Sequence, residues 1–107
     1  MKVLEITDKD VERVIQENKK VVIDCYATWC GPCKMLSPII DDVAEEYEDV
    51  AFFKVDVDNN REIVSKYEIV SIPVLLVFED GQLKNRSLGL ISREEVCDLI
   101  KSYGFPI

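Results

Sequence analysis

Short apolar runs alternate along the chain with longer stretches in which apolar residues recur every three or four positions. The runs are rich in Val, Ile and Phe and have the length of β-strands, whereas the spaced pattern is typical of one buried helix face. The runs predict strands over residues 3–6, 21–27, 51–57, 74–78 and 83–88. The spaced stretches predict helices that begin after Thr7, at Cys30, after Asn60 and after Ser92. This alternation indicates an α/β domain.

The strands differ in how completely they are apolar. Residues 21–27 are apolar on both faces except at Asp24, so they are expected in the middle of a sheet that helices cover on both sides. Residues 83–88 are more polar and are expected at a sheet edge. A hairpin turn at Asp80-Gly81 leads into them. The predicted architecture is therefore a central mixed β-sheet flanked by helices on both faces, with an antiparallel hairpin at one edge.

Two residues are expected to shape the ends and the course of the helices. Pro38 lies inside the second predicted helix and should kink it. Gly104 is expected to end the last helix, whose buried stripe includes Tyr103.

The size and charge of the chain limit its function. The 107 residues, of which 48% are hydrophobic and 32% charged, suit one globular domain over residues 1–107. The net charge of −8 argues against nucleic acid and against an anionic membrane surface as partners. No apolar stretch resembles a signal peptide or a membrane span, so we expect a cytoplasmic protein. Disulfides are rare in that compartment unless they are catalytic.

The strongest chemical signal is the pentapeptide Trp29-Cys30-Gly31-Pro32-Cys33, which joins an apolar strand to a helix. Positions three apart share a helix face, so the two sulfurs can meet if Cys30 opens the helix. The unpaired N–H groups and the positive helix end favour the thiolate, which is the nucleophilic form of cysteine. Pro32 suits the first turn, where its missing N–H had no partner. The motif predicts a reversible dithiol in which a solvent-reachable Cys30 attacks and Cys33 resolves.

Other uses of a Cys-x-x-Cys pair stay open on spacing alone. A zinc site needs further ligands, but the chain has no histidine and its other cysteines, Cys25 and Cys97, are isolated. A structural disulfide is the second alternative, although so short a loop constrains the unfolded chain little. Cys25 is most simply a core residue, whereas Cys97, just off the last helical stripe, is either an exposed thiol or a small apolar residue at the margin. The context favours redox chemistry without a metal.

The pentapeptide resembles the active-site motif of the thioredoxin family, and the similarity extends over essentially the whole chain. Further positions that match the family pattern are Asp24, Lys54, Ile72-Pro73, Gly81 and Gly89. The resemblance implies the thioredoxin fold. Members of this family are the established example of a Cys-x-x-Cys pair with a lowered thiol pKa.

The resemblance also implies roles for residues around the pair. Asp24, whose burial in an apolar strand is itself expected to raise its pKa, would be the general base for Cys33. Lys54 would modulate Asp24; taken alone, it would be interpreted as a surface lysine with a packed stem. The Ile72–Pro73 peptide bond would be cis. The surface that binds substrate would comprise Trp29, Gly31, Pro32, Ile72, Pro73 and Gly89.

The implied activity is reduction of disulfides in client proteins by a monomer that needs no bound cofactor and is regenerated by a thioredoxin reductase. An oxidant or isomerase of the disulfide-isomerase kind is the main alternative, but Gly-Pro between the cysteines favours a reductant. The Pro-Tyr pair usual in glutaredoxins is missing. A binding module that docks partners without electron transfer is an alternative from another class. Ser71 and Val74 depart from the glycine and threonine of many thioredoxins, which leaves the choice of partner open.

Overall fold

The computed structural model describes residues 2–102. Its strands are β1 (Val3–Glu5), β2 (Lys20–Tyr26), β3 (Ala51–Asp56), β4 (Val74–Glu79) and β5 (Gln82–Leu88). Its helices are α1 (Asp8–Glu17), α2 (Gly31–Glu46), α3 (Arg61–Lys66) and α4 (Arg93–Ser102), with a 3-10 turn at Val57–Asn59. The predicted strands and helices are confirmed, with small differences at their ends. Tyr103 and Gly104 lie outside the described residues.

The strands form one mixed sheet in the order β1-β3-β2-β4-β5. Strand β3 is parallel to β1 and β2, whereas β4 is antiparallel to β2 and β5. The predicted central strand, β2, lies in the middle of the sheet, and the polar strand β5 lies at an edge. Asp80 and Gly81 have φ values of 54° and 81°, which suits the tight two-residue hairpin turn. The mixed sheet and its edge hairpin are therefore confirmed.

Hydrophobic clusters cover both faces of the sheet. Ile23 and Leu76 belong to the cluster that packs with α1 and α3, and Val22 and Leu75 belong to the one that packs with α2 and α4. Successive residues of a strand point to opposite faces, so Asp24 shares the α2 face with Val22. This arrangement confirms the predicted helices on both faces.

A hydrogen-bonded junction joins the end of β3 to the starts of α1 and α3. The buried Asn60 side chain accepts a 2.8 Å hydrogen bond from the N–H of Asp8 and donates one of 2.8 Å to the carbonyl of Asp56. The carboxylate of Asp8 accepts from the N–H groups of Glu62 and Ile63, at 2.9 and 3.0 Å. These bonds satisfy donors that the start of α3 would otherwise leave unpaired.

The helices follow their sequence signals. Ser92 and Glu95 form the expected capping box, in which each side chain accepts a hydrogen bond from the other residue's N–H. Helix α2 continues through Pro38 to Glu46, and the kink expected there stays a prediction. Cys97 is buried in the cluster that packs with α2 and α4, so of its two predicted environments the exposed thiol is wrong. Among residues 2–102, no helix combines the length and the apolar character needed to cross a membrane.

Candidate active site

The cysteine pair lies where β2 leads into α2. Cys30 is the N-cap of α2, Pro32 lies in its first turn, and Cys33 follows on the same face. The two cysteines form a disulfide, with their Cα atoms 5.2 Å apart. The N–H of Cys33 donates a 3.2 Å hydrogen bond to Sγ of Cys30. The predicted meeting of the two sulfurs at the helix tip is thus confirmed, and a backbone donor is already directed at Cys30, where it would favour a thiolate.

Cys30 is largely buried but borders a groove. In the disulfide-bonded structure only 4% of the residue is exposed, because it packs within the cluster on the α1 and α3 face of the sheet. It is nevertheless one of the residues that line an open groove. Access to its sulfur is therefore through that groove, and attack by a solvent-reachable Cys30 stays a prediction.

The groove beside the pair has a volume of about 580 Å³ and is mainly apolar. Four of the predicted substrate-binding residues line it, namely Trp29, Gly31, Pro32 and Ile72. Its remaining lining, apart from Cys30, comes from Val57, Arg61, Val64, Ile69, Val70 and Ser71. Within the described part of the chain, Arg61 is the one charged residue of this lining. The groove is thus suited to an apolar segment that approaches the disulfide.

The other two predicted substrate-binding residues lie together. The Ile72–Pro73 bond is cis, as the resemblance implied. Pro73 is buried, and its carbonyl accepts a 2.8 Å hydrogen bond from the N–H of Gly89. Gly89 has a φ of 88°, and apart from its two chain neighbours no described residue lies within 4 Å of the position that a Cβ would take. Any other L-residue would be strained there, so glycine keeps this backbone open to an approaching chain.

The side chain of Trp29 projects into solvent beside the groove, and a hydrogen bond from its ring nitrogen fixes its orientation. The residue is 69% exposed, and its Nε1–H donates a 2.7 Å hydrogen bond to Oδ2 of Asp58. Asp58 belongs to the 3-10 turn that follows β3. A large apolar surface is therefore displayed in a fixed orientation at the edge of the groove.

Asp24 is buried beneath the pair, with only 4% of the residue exposed, and its Oδ1 accepts no hydrogen bond within residues 2–102. Burial raises the pKa of Asp24 to about 7, against the effect of Lys54, which lowers it. Lys54 is its register partner on β3. The predicted proximity of these two residues is confirmed, and the carboxyl group titrates in a range useful for proton transfer.

Asp24 and Cys33 share a second cavity of about 300 Å³. Lys54 also lines it, on the side of the sheet, and Lys34 and Ser37 line it from α2. A cavity of this size has room for water that can carry a proton between the carboxyl group and the sulfur. The geometry therefore links the buried acid to the second cysteine.

The remaining cysteines lie away from this chemistry. Cys25 is fully buried on β2, and burial raises the pKa of its thiol well above the ordinary range, which makes it a poor nucleophile. Cys97 is buried beside Arg93, whose Nη1 lies 3.8 Å from its sulfur. Neither forms a disulfide.

Several residues of the site were not found from the sequence. Val70 is 93% exposed at the groove, Arg61 lines it, and Asp58 holds Trp29. All three lie outside the strands or at a helix start, where hydrophobic periodicity gives no signal. The one available hint was the departure at Ser71, which follows Val70 in the chain.

Comparison with known proteins identifies the family. The chain matches the family model described as Thioredoxin over residues 2–102. It is 47% identical over 97 residues to a thioredoxin of Mycoplasmoides gallisepticum, which covers 90% of this chain and 97% of that protein.

Solved structures agree with this match. A thioredoxin variant from Halobacterium salinarum is 36% identical, with a TM-score of 0.90 and coverage of 99% of this chain and 94% of the other. The oxidised mitochondrial thioredoxin 3 of Saccharomyces cerevisiae is 36% identical, with a TM-score of 0.87 and coverage of 92% and 93%. Because sequence, fold and cysteine pair agree over nearly the whole chain, this protein belongs to the thioredoxin family.

Proposed function

We propose that this protein reduces disulfides in client proteins, with Cys30 as the nucleophile and Cys33 as the resolving thiol. It is a thiol–disulfide oxidoreductase by its family and by its cysteine pair. The observation that carries the proposal is the Cys30–Cys33 disulfide, closed at the N-terminus of α2 and beside an apolar groove. This is the oxidised product of the reaction.

The reaction proceeds by two exchanges. The Cys30 thiolate attacks one sulfur of the client disulfide, so that a mixed disulfide forms and the other client sulfur leaves as a thiolate, which takes a proton from water. Cys33 then loses its proton and attacks Sγ of Cys30, which releases the second client thiolate. Two electrons pass to the client, and the Cys30–Cys33 disulfide remains.

Asp24 is proposed to take the proton of Cys33. Its pKa of about 7 means that it is partly ionised at neutral pH, and it lines the same cavity as Cys33. A base with a pKa close to the working pH is the most effective proton acceptor. Lys54 favours the ionised form of Asp24 and so modulates this step.

The groove is proposed to bind an extended, mainly apolar client segment next to its half-cystine. The docking surface comprises Trp29, Gly31, Pro32, Ile72, Pro73 and Gly89. The exposed ring of Trp29 and the open backbone at Gly89 support this role. An extended chain can add main-chain hydrogen bonds to such a surface, while its side chains find the apolar pocket.

The wider setting follows from the family. We propose that a thioredoxin reductase restores the dithiol, that the chain acts in the cytoplasm as a monomer of one domain, and that it needs no bound cofactor. The reacting electrons are held by the two sulfurs themselves, which supports the last point.

The test is reduction of insulin disulfides with a regenerating reductase. The wild-type protein is expected to catalyse the reaction, Cys30→Ser to abolish it, and Cys33→Ser to accumulate a mixed disulfide with the client. Cys97→Ser, which alters a buried thiol outside the site, is the matched control and should keep the activity. A Cys30→Ser variant that still reduces insulin would refute the proposal.

Two further measurements separate the alternatives. Equilibration of the Cys30–Cys33 pair with glutathione should give a reducing potential, and an oxidising value would instead identify an oxidant or isomerase. A Cys30→Ser, Cys33→Ser double variant that keeps its biological function would identify a binding module.

A further inference from the structure

Three charged side chains form a row across the sheet beside the redox pair. In the register of the parallel strands, Glu5 on β1 lies opposite Lys54 on β3, and Lys54 lies opposite Asp24 on β2. Residues opposite one another on neighbouring strands point to the same face of the sheet. The ammonium of Lys54 is therefore placed between two carboxyl groups, of which one is exposed and the other buried.

Tyr26 connects the two ends of this row. Its hydroxyl donates a 2.7 Å hydrogen bond to Oε1 of Glu5, so the side chain reaches from β2 across β3 to β1. Nζ of Lys54 lies 6.0 Å from the centre of the Tyr26 ring, a distance at which a cation is still attracted to the aromatic face. Glu5 and Tyr26 thus act together on one side of the ammonium, and Asp24 acts on the other.

Within residues 2–102, no direct ion pair holds the ammonium of Lys54. Within the described part of the chain, Lys54 forms a salt bridge with neither Glu5 nor Asp24. Besides its contact with the Tyr26 ring, it acts on the two carboxyl groups by longer-range attraction. Removing the charge of Glu5 at one end of the row is therefore expected to change the proton affinity of Asp24 at the other end.

We propose that Glu5 competes with Asp24 for the ammonium of Lys54 and thereby sets the pH at which Cys33 resolves the mixed disulfide. Glu5 touches neither the sulfurs nor the client, so it is a positioning residue. Two effects act in the same direction, since Glu5 draws the cation away from Asp24 and adds a negative charge to its surroundings. Both make Asp24 hold its proton more firmly. The inference rests on the proposed role of Asp24 as the base.

Other groups also face Asp24. Those on the sheet or on α2 that line its cavity or act on its charge are Glu5, Tyr26, Lys54, Cys33, Lys34 and Asp41. Burial is the main cause of the raised pKa of Asp24, while Asp41 and Glu5 raise it further and Lys54 lowers it. Of the two acidic residues, Glu5 is the one in register with the lysine. It is therefore the one that can act through Lys54.

The test is the Glu5→Gln variant, read out by two methods. Titration of the Asp24 carboxyl carbon by NMR in the oxidised protein measures proton affinity without any reaction. In Glu5→Gln, the midpoint of the Asp24 titration is expected to move to lower pH by roughly half a unit. This is the size expected for two charges that lie two strand spacings (roughly 10 Å) apart and are partly screened by solvent. Resolution of a mixed disulfide at pH 6 should then be about two- to threefold faster, with little change at pH 8, where Asp24 is ionised in both proteins.

Two variants make the result specific. Glu94→Gln removes the same charge from the exposed first turn of α4 and should leave the Asp24 titration unchanged. In a Lys54→Gln background, Glu5→Gln should move the midpoint by less than half as much, because the intermediary is gone. An unchanged midpoint in Glu5→Gln, or an equal shift with and without Lys54, would overturn the inference.

Failure of the proposed function can be told apart from failure of this inference. If Asp24→Asn left the rate of resolution unchanged, Asp24 would not be the base, and the inference about the resolving pH would fall with that role. The NMR titration would still report whether Glu5 acts on Asp24. If Asp24→Asn slows resolution but Glu5→Gln moves neither readout, only the inference fails.

Discussion

The buried Asp24 should make the protein less stable as the pH rises, and Asp24→Asn should remove this dependence. The folded protein raises the pKa of Asp24 from 3.8 to about 7, so the folded state binds this proton more tightly than the unfolded state does. Its contribution to stability is therefore complete below pH 4 and is lost as the pH rises through 7. Each pH unit in this window corresponds to about 1.4 kcal/mol, which gives roughly 4 kcal/mol in all.

The measurement is the free energy of unfolding of the oxidised protein in guanidinium chloride, at pH values from 4 to 8. The difference between Asp24→Asn and wild type should increase with pH and favour the variant by up to roughly 4 kcal/mol at pH 8. Asp98→Asn makes the same chemical change on an exposed position of α4 and controls for the loss of one negative charge. Parallel stability curves for wild type and Asp24→Asn between pH 5 and 8 would refute the reasoning.

Three further predictions concern other parts of the molecule. In the reduced protein at neutral pH, iodoacetamide should modify Cys30 first and Cys25 only after unfolding, as peptide mapping would show; equal rates would contradict the assigned nucleophile. Asn60→Ala should lower the free energy of unfolding by about 1 to 2 kcal/mol because it leaves two partly buried backbone groups, the N–H of Asp8 and the carbonyl of Asp56, without this partner. Asn59→Ala, at an exposed position, should have a smaller effect in the same denaturation assay. Leu76→Ala, at a fully buried position of β4, should cost roughly 3 kcal/mol, and a loss below 1 kcal/mol would indicate that the site collapses around the smaller side chain.

The parts of the structure that the sequence predicted are those decided by local chemistry. The apolar run of β2 is interrupted at one position, and that position, Asp24, is the buried acid. The spacing of Cys30 and Cys33, together with Pro32, predicted the start of α2 and the meeting of the sulfurs. In each case the local sequence preference and the tertiary structure require the same arrangement, so the sequence pattern was sufficient to predict it.

The parts that were missed depend on which segments the fold brings together. The groove combines the start of α3 with the segment before Pro73, and nothing in either segment indicates the other. The partnership of Glu5 with Lys54 follows from the register of β1 against β3, since a shift of one residue would place Glu5 on the other face. The low exposure of Cys30 has the same origin, because neighbours distant in the chain cover it.

The junction at Asn60 has a consequence for where the chain can be opened by circular permutation. The chain between β3 and α3 holds Trp29 through Asp58 on one side and the first turn of α1 through Asn60 on the other. The unit formed by β1 and α1 contributes no atom to the exchange reaction. Through Asn60 it nevertheless supports the 3-10 turn that orients the Trp29 ring. Opening new termini at Asp8, which would weaken the hydrogen bond from Asp8 to Asn60, should therefore loosen the orientation of Trp29 before it disturbs the two sulfurs. Such a molecule would keep the Cys30–Cys33 redox couple and bind its clients more weakly.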